Sequence, residues 1–364
     1  MDAPPALPYD PRVPWNALPE LPPRTDLETP AILKTCIEAR VALARVNALA
    51  ESLPNRSILF HALPLQEARS SSEIENIVTT GDELYQALAS GASADAAAKE
   101  VLRYREALWE GMEDLDRRPI LDVRLFERIC SRIRGVDVRV RQGRVAIGNP
   151  ALGRVIYTPP DGAALGRLLA NLERFLAEQA DGVDPLIKMA VMHYQFEAIH
   201  PFSDGNGRTG RILNVLYLKT RGLLDAPIIY VSRYLMAHRS VYYRLLRAVT
   251  EQGDWQAWVR YILTAVEESA TDAISRIRRI QTLAQQMTER AREATRAAKR
   301  EGFMDILFKW PYCKIGIVQR ELACSRLTAQ RYLEEMTQLG ALERIRQGRE
   351  YYYINRGFID VLSE

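Results

Sequence analysis

The stretch His200-Pro201-Phe202-Ser203-Asp204-Gly205-Asn206-Gly207-Arg208-Thr209-Gly210-Arg211 decides how this chain is read. It lies between two segments with helical signals. The first, 184–198, opens on Asp184-Pro185, a capping acid followed by proline at the first helical position. The second, 208–221, is apolar and is closed by Gly222. In the loop between them, Gly205 and Gly207 let the backbone approach a ligand in conformations that a side chain forbids. The helix that follows begins with unpaired amides, and such a terminus attracts anions. Arg208 and Arg211 add fixed positive charge that matches phosphate oxygens. Asn206 has an amide to donate to a phosphate oxygen. Asp204 is a hard oxygen ligand suited to Mg2+ beside a phosphate. His200 can take a proton near neutral pH. Each feature alone is ordinary. Their occurrence within a dozen residues is not explained by separate structural reasons.

Outward from this stretch the chain reads as mainly α. Upstream, helical spacing appears at 30–53, ended by Pro54, and again over 56–90 with a break at Arg69-Ser70-Ser71-Ser72. Ser71 or Ser72 is expected to cap a helix over 73–80. Further helices are expected at 93–115 and 121–134. Val136, Val138 and Val140 then alternate with Asp137, Arg139 and Arg141, Gly148-Asn149-Pro150 is turn chemistry, and Arg154 to Thr158 is strand-like. This predicts a β-hairpin within 136–160. Downstream, helices are expected at 162–180, 232–248 and 254–268, with one long amphipathic helix over 269–301. From Gly302 on, three helices (304–308, 317–322, 327–339) and a hairpin around Gln347-Gly348-Arg349 predict a small separate unit. The expected division is 1–115, 116–268, 269–301 and 302–364. Proline-rich residues 1–28 read equally as a packed arm or as a disordered tail.

The 364 residues are 47% hydrophobic and 26% charged, as in globular chains, with a net charge of +3. That balance is too small to make nucleic acid or an anionic membrane the main partner. Cys36, Cys130, Cys313 and Cys324 form no disulfide framework or zinc pattern. No stretch has the length and apolarity of a membrane span, and the N-terminus lacks a signal-peptide pattern. A reducing, cytoplasmic location is expected.

The central stretch resembles the Fic signature, H-P-F-x-[DE]-G-N-G-R-x-x-R, at every defined position. The resemblance implies a Fic helical core with a β-hairpin flap and a small C-terminal winged helix. It implies transfer of AMP from ATP, with Mg2+, to a Ser, Thr or Tyr hydroxyl of a target protein, self-modification included. His200 is then the general base and Asp204 the magnesium ligand, with Gly205, Asn206, Gly207, Arg208, Thr209, Gly210 and Arg211 on ATP and its phosphates. Pro201 and Phe202 become packing residues that set the loop.

A second stretch, Ser71-Ser72-Glu73-Ile74-Glu75-Asn76, resembles the family's inhibitory pattern [ST]-x-x-x-E-[GN]. That implies a brake in which Glu75 holds Arg211 away from the γ-phosphate, with Ser71 and Asn76 in the other defined places. Taken by itself, the stretch is an ordinary capped helix start. Val155, Ile156, Tyr157 and Thr158 match the flap edge that pairs with an extended target segment. Tyr242 and Tyr243 are assigned to the border of the adenine, although tyrosines at such helix positions are often simply packed. The tail carries Arg326, Gln330 and Arg331 beside Glu334 and Glu335. DNA binding and protein docking are both open for it. A homodimer is expected because many relatives pair. Two other functions stay open at this point: a relative that transfers another phosphate-linked group or removes AMP, and a nucleotide-sensing DNA-binding regulator.

Overall fold

The computed structural model describes residues 9–52, 57–90, 95–149, 153–179, 181–347 and 350–363. Pro54, Pro150, Gly348 and Arg349, expected at helix and hairpin ends, lie outside these residues, as does the start of the arm. The chain opens with helices α1 (Pro30–Glu51), α2 (Ser57–Ile74), α3 (Gly81–Ser90), α4 (Ala96–Arg117) and α5 (Val123–Arg134). A hairpin of β1 (Ile147–Asn149) and β2 (Arg154–Tyr157) follows. Next come α6 (Gly162–Ala177), α7 (Pro185–Ile199), α8 (Asn206–Thr220), α9 (Val231–Ala237), α10 (Arg239–Gln252) and α11 (Trp255–Ala294). The C-terminal part holds α12 (Phe303–Lys309), β3 (Tyr312–Cys313), α13 (Ile315–Glu321), α14 (Arg326–Gln338), β4 (Glu343–Gln347), β5 (Glu350–Ile354) and α15 (Arg356–Ser363). The mainly helical class matches expectation. No described helix is long and apolar enough to cross a membrane.

The chain forms two compact units. The first gathers 1–43, 103–225 and 231–268, and the second 44–102, 226–230 and 269–364. The stretches 269–301 and 302–364 thus fall in one unit.

In the first unit α7 is buried nearly all round, the mark of a central helix. It packs between α6 and α8, and α8 also packs on α5. Gly210 permits the close approach of α7 and α8: a Cβ there would lie 2.6 Å from Glu197 Oε1 and 3.1 Å from Phe196 Cδ1. Lys188, on this buried helix, donates from Nζ to the Glu178 carbonyl (2.7 Å) and to Asp181 (2.6 Å), so its charge is paired. The N-terminal segment from residue 9 is a packed arm. Leu18 and Leu21 are buried, and Asn171 of α6 exchanges two hydrogen bonds with the Leu21 backbone (2.7 and 2.9 Å).

The expected strand at 136–140 does not form. Its backbone is satisfied by side chains of α5 instead: Val138 N–H donates to Ser131 Oγ (2.8 Å) and Val140 N–H to Glu127 Oε1 (3.0 Å). The alternate amides that would face one neighbouring strand are thus taken by α5. The hairpin is confined to β1 and β2, antiparallel, with Ile147 opposite Tyr157 and a bulge before Gly148.

In the second unit α2 packs on α12 and α15, and α3 on β3. Strand order is β3-β5-β4, all antiparallel. Tyr85 stacks on Tyr312 at 6.1 Å, and Arg276 donates to the Val361 and Leu362 carbonyls (2.7 and 2.8 Å), closing the end of α15. The break expected at 69–72 is absent, because α2 runs through it. Ser71 and Ser72 are fully buried and sit at the end of a helix, not at its start. The end is a Schellman turn: Ile77 N–H reaches the Ser72 carbonyl and Asn76 N–H the Glu73 carbonyl, each at 3.0 Å. Asn76 takes the left-handed position, φ 61°. Asn tolerates this region better than most residues, which gives the Gly-or-Asn place of the pattern a local physical reason.

Candidate active site

Helix α7 delivers His200. Asp184 caps its start, accepting from Leu186 N–H (2.8 Å), with Pro185 at the first position. His200 ends the helix in the left-handed conformation, φ 51° and ψ 60°, with its N–H on the Phe196 carbonyl. A non-glycine residue there requires support from its surroundings. Two side chains supply it. Tyr157 of β2 donates its hydroxyl to the Ala198 carbonyl (2.8 Å). Arg141 donates from Nε to the His200 carbonyl (2.8 Å), from Nη2 to the Ile199 carbonyl (3.2 Å), and from its own N–H to the Pro201 carbonyl (2.9 Å). Its guanidinium also reaches the Gly143 and Pro160 carbonyls. Burial lowers the pKa of Arg141, while the Asp161 charge opposes that change.

The loop from Pro201 to Gly205 rests on α5 and on the aromatic core. Phe202 is fully buried against Phe196, which meets Phe126 edge-on at 5.7 Å. This agrees with its reading as packing. Asn206, expected as a phosphate donor, is placed as a clamp. It is 1% exposed, accepts from Phe202 N–H and donates to the Phe202 carbonyl, both at 2.8 Å. Gly205 has φ 89° and precedes the first residue of α8. A Cβ there would stand 3.1 Å from Cys130 Sγ. Cys130 in turn lies 3.4 Å from the Asp204 carbonyl, and burial pushes its thiol up to about 11.

The first intrahelical bond of α8 runs from Thr209 N–H to the Gly205 carbonyl (3.0 Å). The amides of Asn206, Gly207 and Arg208 therefore have no partner within the helix. Arg208 and Arg211 are buried, at 2% and 3% exposure, and Thr209 is fully buried. Gly210 serves helix packing, as described above. Asp204 is open to solvent, with 57% of its side chain exposed; one oxygen meets Arg134 at 2.5 Å and the other lies 3.9 Å from Arg208. Among the described residues no three His, Cys, Asp or Glu side chains cluster as a metal cage. A lone accessible carboxylate beside an anion-binding helix end still fits Mg2+, which keeps several waters and takes its other ligands from substrate phosphates.

Beneath α8 lies His193, fully buried, with Nε2 3.0 Å from the Tyr242 hydroxyl and its ring stacked on Trp258. Burial, then the Arg211 charge, pull its pKa down to about 3. Tyr242 is thus packed in the core. Tyr243 is 45% exposed, with the Arg239 guanidinium over its ring at 5.7 Å.

On the flap, Val155 is half-buried and Ile156 is 44% exposed. Tyr157 turns its hydroxyl to α7, and Thr158 is buried. The arm bonds this strand: Tyr9 donates to the Ile156 carbonyl (3.0 Å), Trp15 N–H to the Thr158 carbonyl (3.0 Å), and Thr158 Oγ1 to the Pro11 carbonyl (2.7 Å). Ser71, Glu75 and Asn76 belong to the second unit, at the end of α2. Arg141, Arg134 and His193 were not singled out from the sequence. Arg141 has the same local pattern as Arg139, which is exposed and pairs with Glu127 at 3.1 Å. Only the tertiary fold separates the two.

Comparison with known proteins covers most of this chain. The profile "Fic/DOC family N-terminal" matches residues 33–113, "Fic/DOC family" matches 120–218, and "Protein adenylyltransferase SoFic-like, C-terminal domain" matches 283–358. The chain is 35% identical over 114 residues to "Protein adenylyltransferase Fic" of Drosophila grimshawi, covering 31% of this chain and 22% of that one. It is 37% identical over 114 residues to the protein of that name from Culex quinquefasciatus, covering 31% and 21%. The chain therefore spans about a fifth of the length of these relatives. Among solved structures, a Fic family protein from Desulfovibrio desulfuricans G20 superposes with TM-score 0.59 at 24% identity, covering 92% of this chain and 98% of that one. Residues 134–508 of Fic-1 from C. elegans give TM-score 0.52 at 22% identity, covering 68% and 74%. These two likenesses concern the fold. With the motif from His200 to Arg211 set between α7 and α8, and with profiles matching before, across and after it, the chain belongs to the Fic/DOC family.

Proposed function

We propose that this chain is a protein adenylyltransferase that moves AMP from Mg-ATP to a hydroxyl side chain of a target protein. The observation that carries the reading is the pairing of His200, at the end of α7, with the first turn of α8 and its buried arginines Arg208 and Arg211. The relatives' name, protein adenylyltransferase Fic, supports the same activity.

In this mechanism the triphosphate lies against the amides of Asn206, Gly207 and Arg208, with Arg208 and Arg211 supplying positive charge. His200 accepts the proton of the attacking hydroxyl. The oxygen bonds to the α-phosphorus as the bond to pyrophosphate breaks, in line. Asp204 would hold Mg2+, which when bound neutralises phosphate charge. The clamp of Asn206 on Phe202 keeps the loop in shape before the substrate arrives, so little reorganisation is needed in the transition state.

Within this reading, 1–115 carries the brake, 116–268 the transfer site, 269–301 a connection and 302–364 a docking module. The order α12, β3, α13, α14 and the β4–β5 hairpin supports a winged helix in the last segment, with α15 after it. The basic side chains on that segment are largely matched by acids: Lys309 with Glu321, Arg331 with Glu335, Arg344 with Glu334. That favours a protein partner over DNA. Glu75 is proposed as the brake on transfer, and cytoplasm as the location.

The test uses ATP labelled at either the α or the γ phosphate, with wild type, Glu75→Gly and His200→Ala. Protein-bound label from the α position only, raised in Glu75→Gly and lost in His200→Ala, is the expected result. Label from the γ position would instead make this a phosphate-transferring relative. Equal rates for wild type and Glu75→Gly would remove the brake from the account.

A further inference from the structure

We propose that Arg141 is a positioning residue for His200, and that Arg141 and Tyr157 together form a clasp tying the flap to the catalytic histidine. The inference rests on the reading of His200 as the general base. A helix leaves its last carbonyls without intrahelical partners, and these are usually met by water or by a glycine turn. At α7 the side chains of Tyr157 and Arg141 meet those of Ala198, Ile199 and His200, and the backbone N–H of Arg141 meets that of Pro201 just beyond.

The arrangement does more than satisfy backbone groups. His200 sits in the left-handed region at φ 51°, which a residue with a side chain holds only under constraint. The direction of its imidazole follows from that backbone. The donors that impose the constraint come from the flap: Tyr157 is the last residue of β2, and the Arg141 guanidinium also holds the Pro160 carbonyl just beyond it. A displacement of β2 therefore acts on the same atoms that set His200. Arg141 is 8% exposed, and its charge faces the negative end of α7. Lysine has one ammonium in place of the planar fork and cannot reach these carbonyls together.

The experiment measures α-labelled AMP transfer by the full chain in wild type, Arg141→Ala, Arg141→Lys, Tyr157→Phe and Arg139→Ala, with Tm recorded for each. Small misplacement of a catalytic group can cost two orders of magnitude. We expect kcat to fall roughly tenfold or more in both Arg141 variants and several-fold in Tyr157→Phe, with KM for ATP within about twofold of wild type. Millimolar guanidinium should restore part of the activity of Arg141→Ala and none of that of Tyr157→Phe. Arg139→Ala should match wild type. An unchanged kcat in Arg141→Ala, whatever its Tm, overturns the clasp and leaves Arg141 a purely structural residue. Should Arg141→Ala fail to fold, Tyr157→Phe removes a single oxygen and carries the same test. If neither wild type nor Glu75→Gly transfers label, the functional reading fails, and the imidazole Cε1–H resonance of His200, identified by its loss in His200→Ala, decides the clasp. A shift in Tyr157→Phe and the Arg141 variants but not in Arg139→Ala supports it, and coincident resonances in all of them overturn it.

Discussion

Asn206 and Phe202 are joined by two hydrogen bonds of 2.8 Å, the side-chain amide of one pairing with both backbone groups of the other. The pairing resembles a rung of antiparallel sheet made by a side chain. It closes the loop that carries Asp204 and Gly205. In Asn206→Ala the N–H and C=O of fully buried Phe202 lose their partners. The expected cost is roughly 2–4 kcal/mol of stability, from two unsatisfied buried groups. Urea denaturation measures it, and a change below about 0.5 kcal/mol would show that the loop does not depend on this clamp.

Gly210 sets the distance between α7 and α8. Gly210→Ala places a methyl 2.6 Å from Glu197 Oε1 and 3.1 Å from Phe196 Cδ1. Overpacking of this kind costs roughly 1–3 kcal/mol, against about 1 kcal/mol gained from helix propensity. A lower denaturation midpoint is expected. A more stable variant would mean that Glu197 and Phe196 yield freely.

The buried His193 makes stability depend on pH. Its folded pKa, about 3, lies below the ordinary value of 6.5. The unfolded chain therefore binds a proton that the folded chain excludes, and stability is lost as pH falls from 6.5 toward 3. The loss between pH 6.5 and 5 is about 2 kcal/mol. Comparing denaturation at these two pH values for wild type and His193→Gln tests this; a pH slope that survives the substitution assigns it to other groups.

Arg134 competes for the carboxylate proposed to hold Mg2+. Its guanidinium lies 2.5 Å from Asp204, in a half-exposed pair. Arg134→Met should lower the Mg2+ concentration giving half-maximal AMP transfer by a few-fold, since it removes a like charge from the metal's neighbourhood. A Mg2+ titration at fixed ATP reads this directly. A rise in the half-maximal concentration would instead make Arg134 the residue that orients Asp204.

The legible parts of this chain are those in which local chemistry and tertiary structure agree. Asp184-Pro185 starts α7 where the sequence places it, whereas Gly210, read as part of the phosphate-binding set, lies at the contact of α8 with α7. The misreadings have one cause. Ser71 and Ser72 look like caps because exposed serines usually are, yet here they are buried at a helix end. Val136, Val138 and Val140 alternate as a strand would, but Ser131 and Glu127 take their amides. Arg141 and Arg139 cannot be told apart without knowing that one faces the end of α7. In each case the deciding partner lies elsewhere in the fold, beyond the reach of a periodic pattern.

The arm bonded to the flap has a consequence for recognition. Tyr9 and Trp15 donate to the carbonyls of Ile156 and Thr158, groups that an incoming extended peptide would need. Because the arm is part of the same chain, it acts as a ligand at an effective concentration in the roughly millimolar range. A free peptide reaching those carbonyls exchanges with a tethered rival and does not simply dock on a bare edge. If the flap takes an extended target segment, that segment has to displace the tethered arm, and selectivity there would be a threshold set by competition within the molecule.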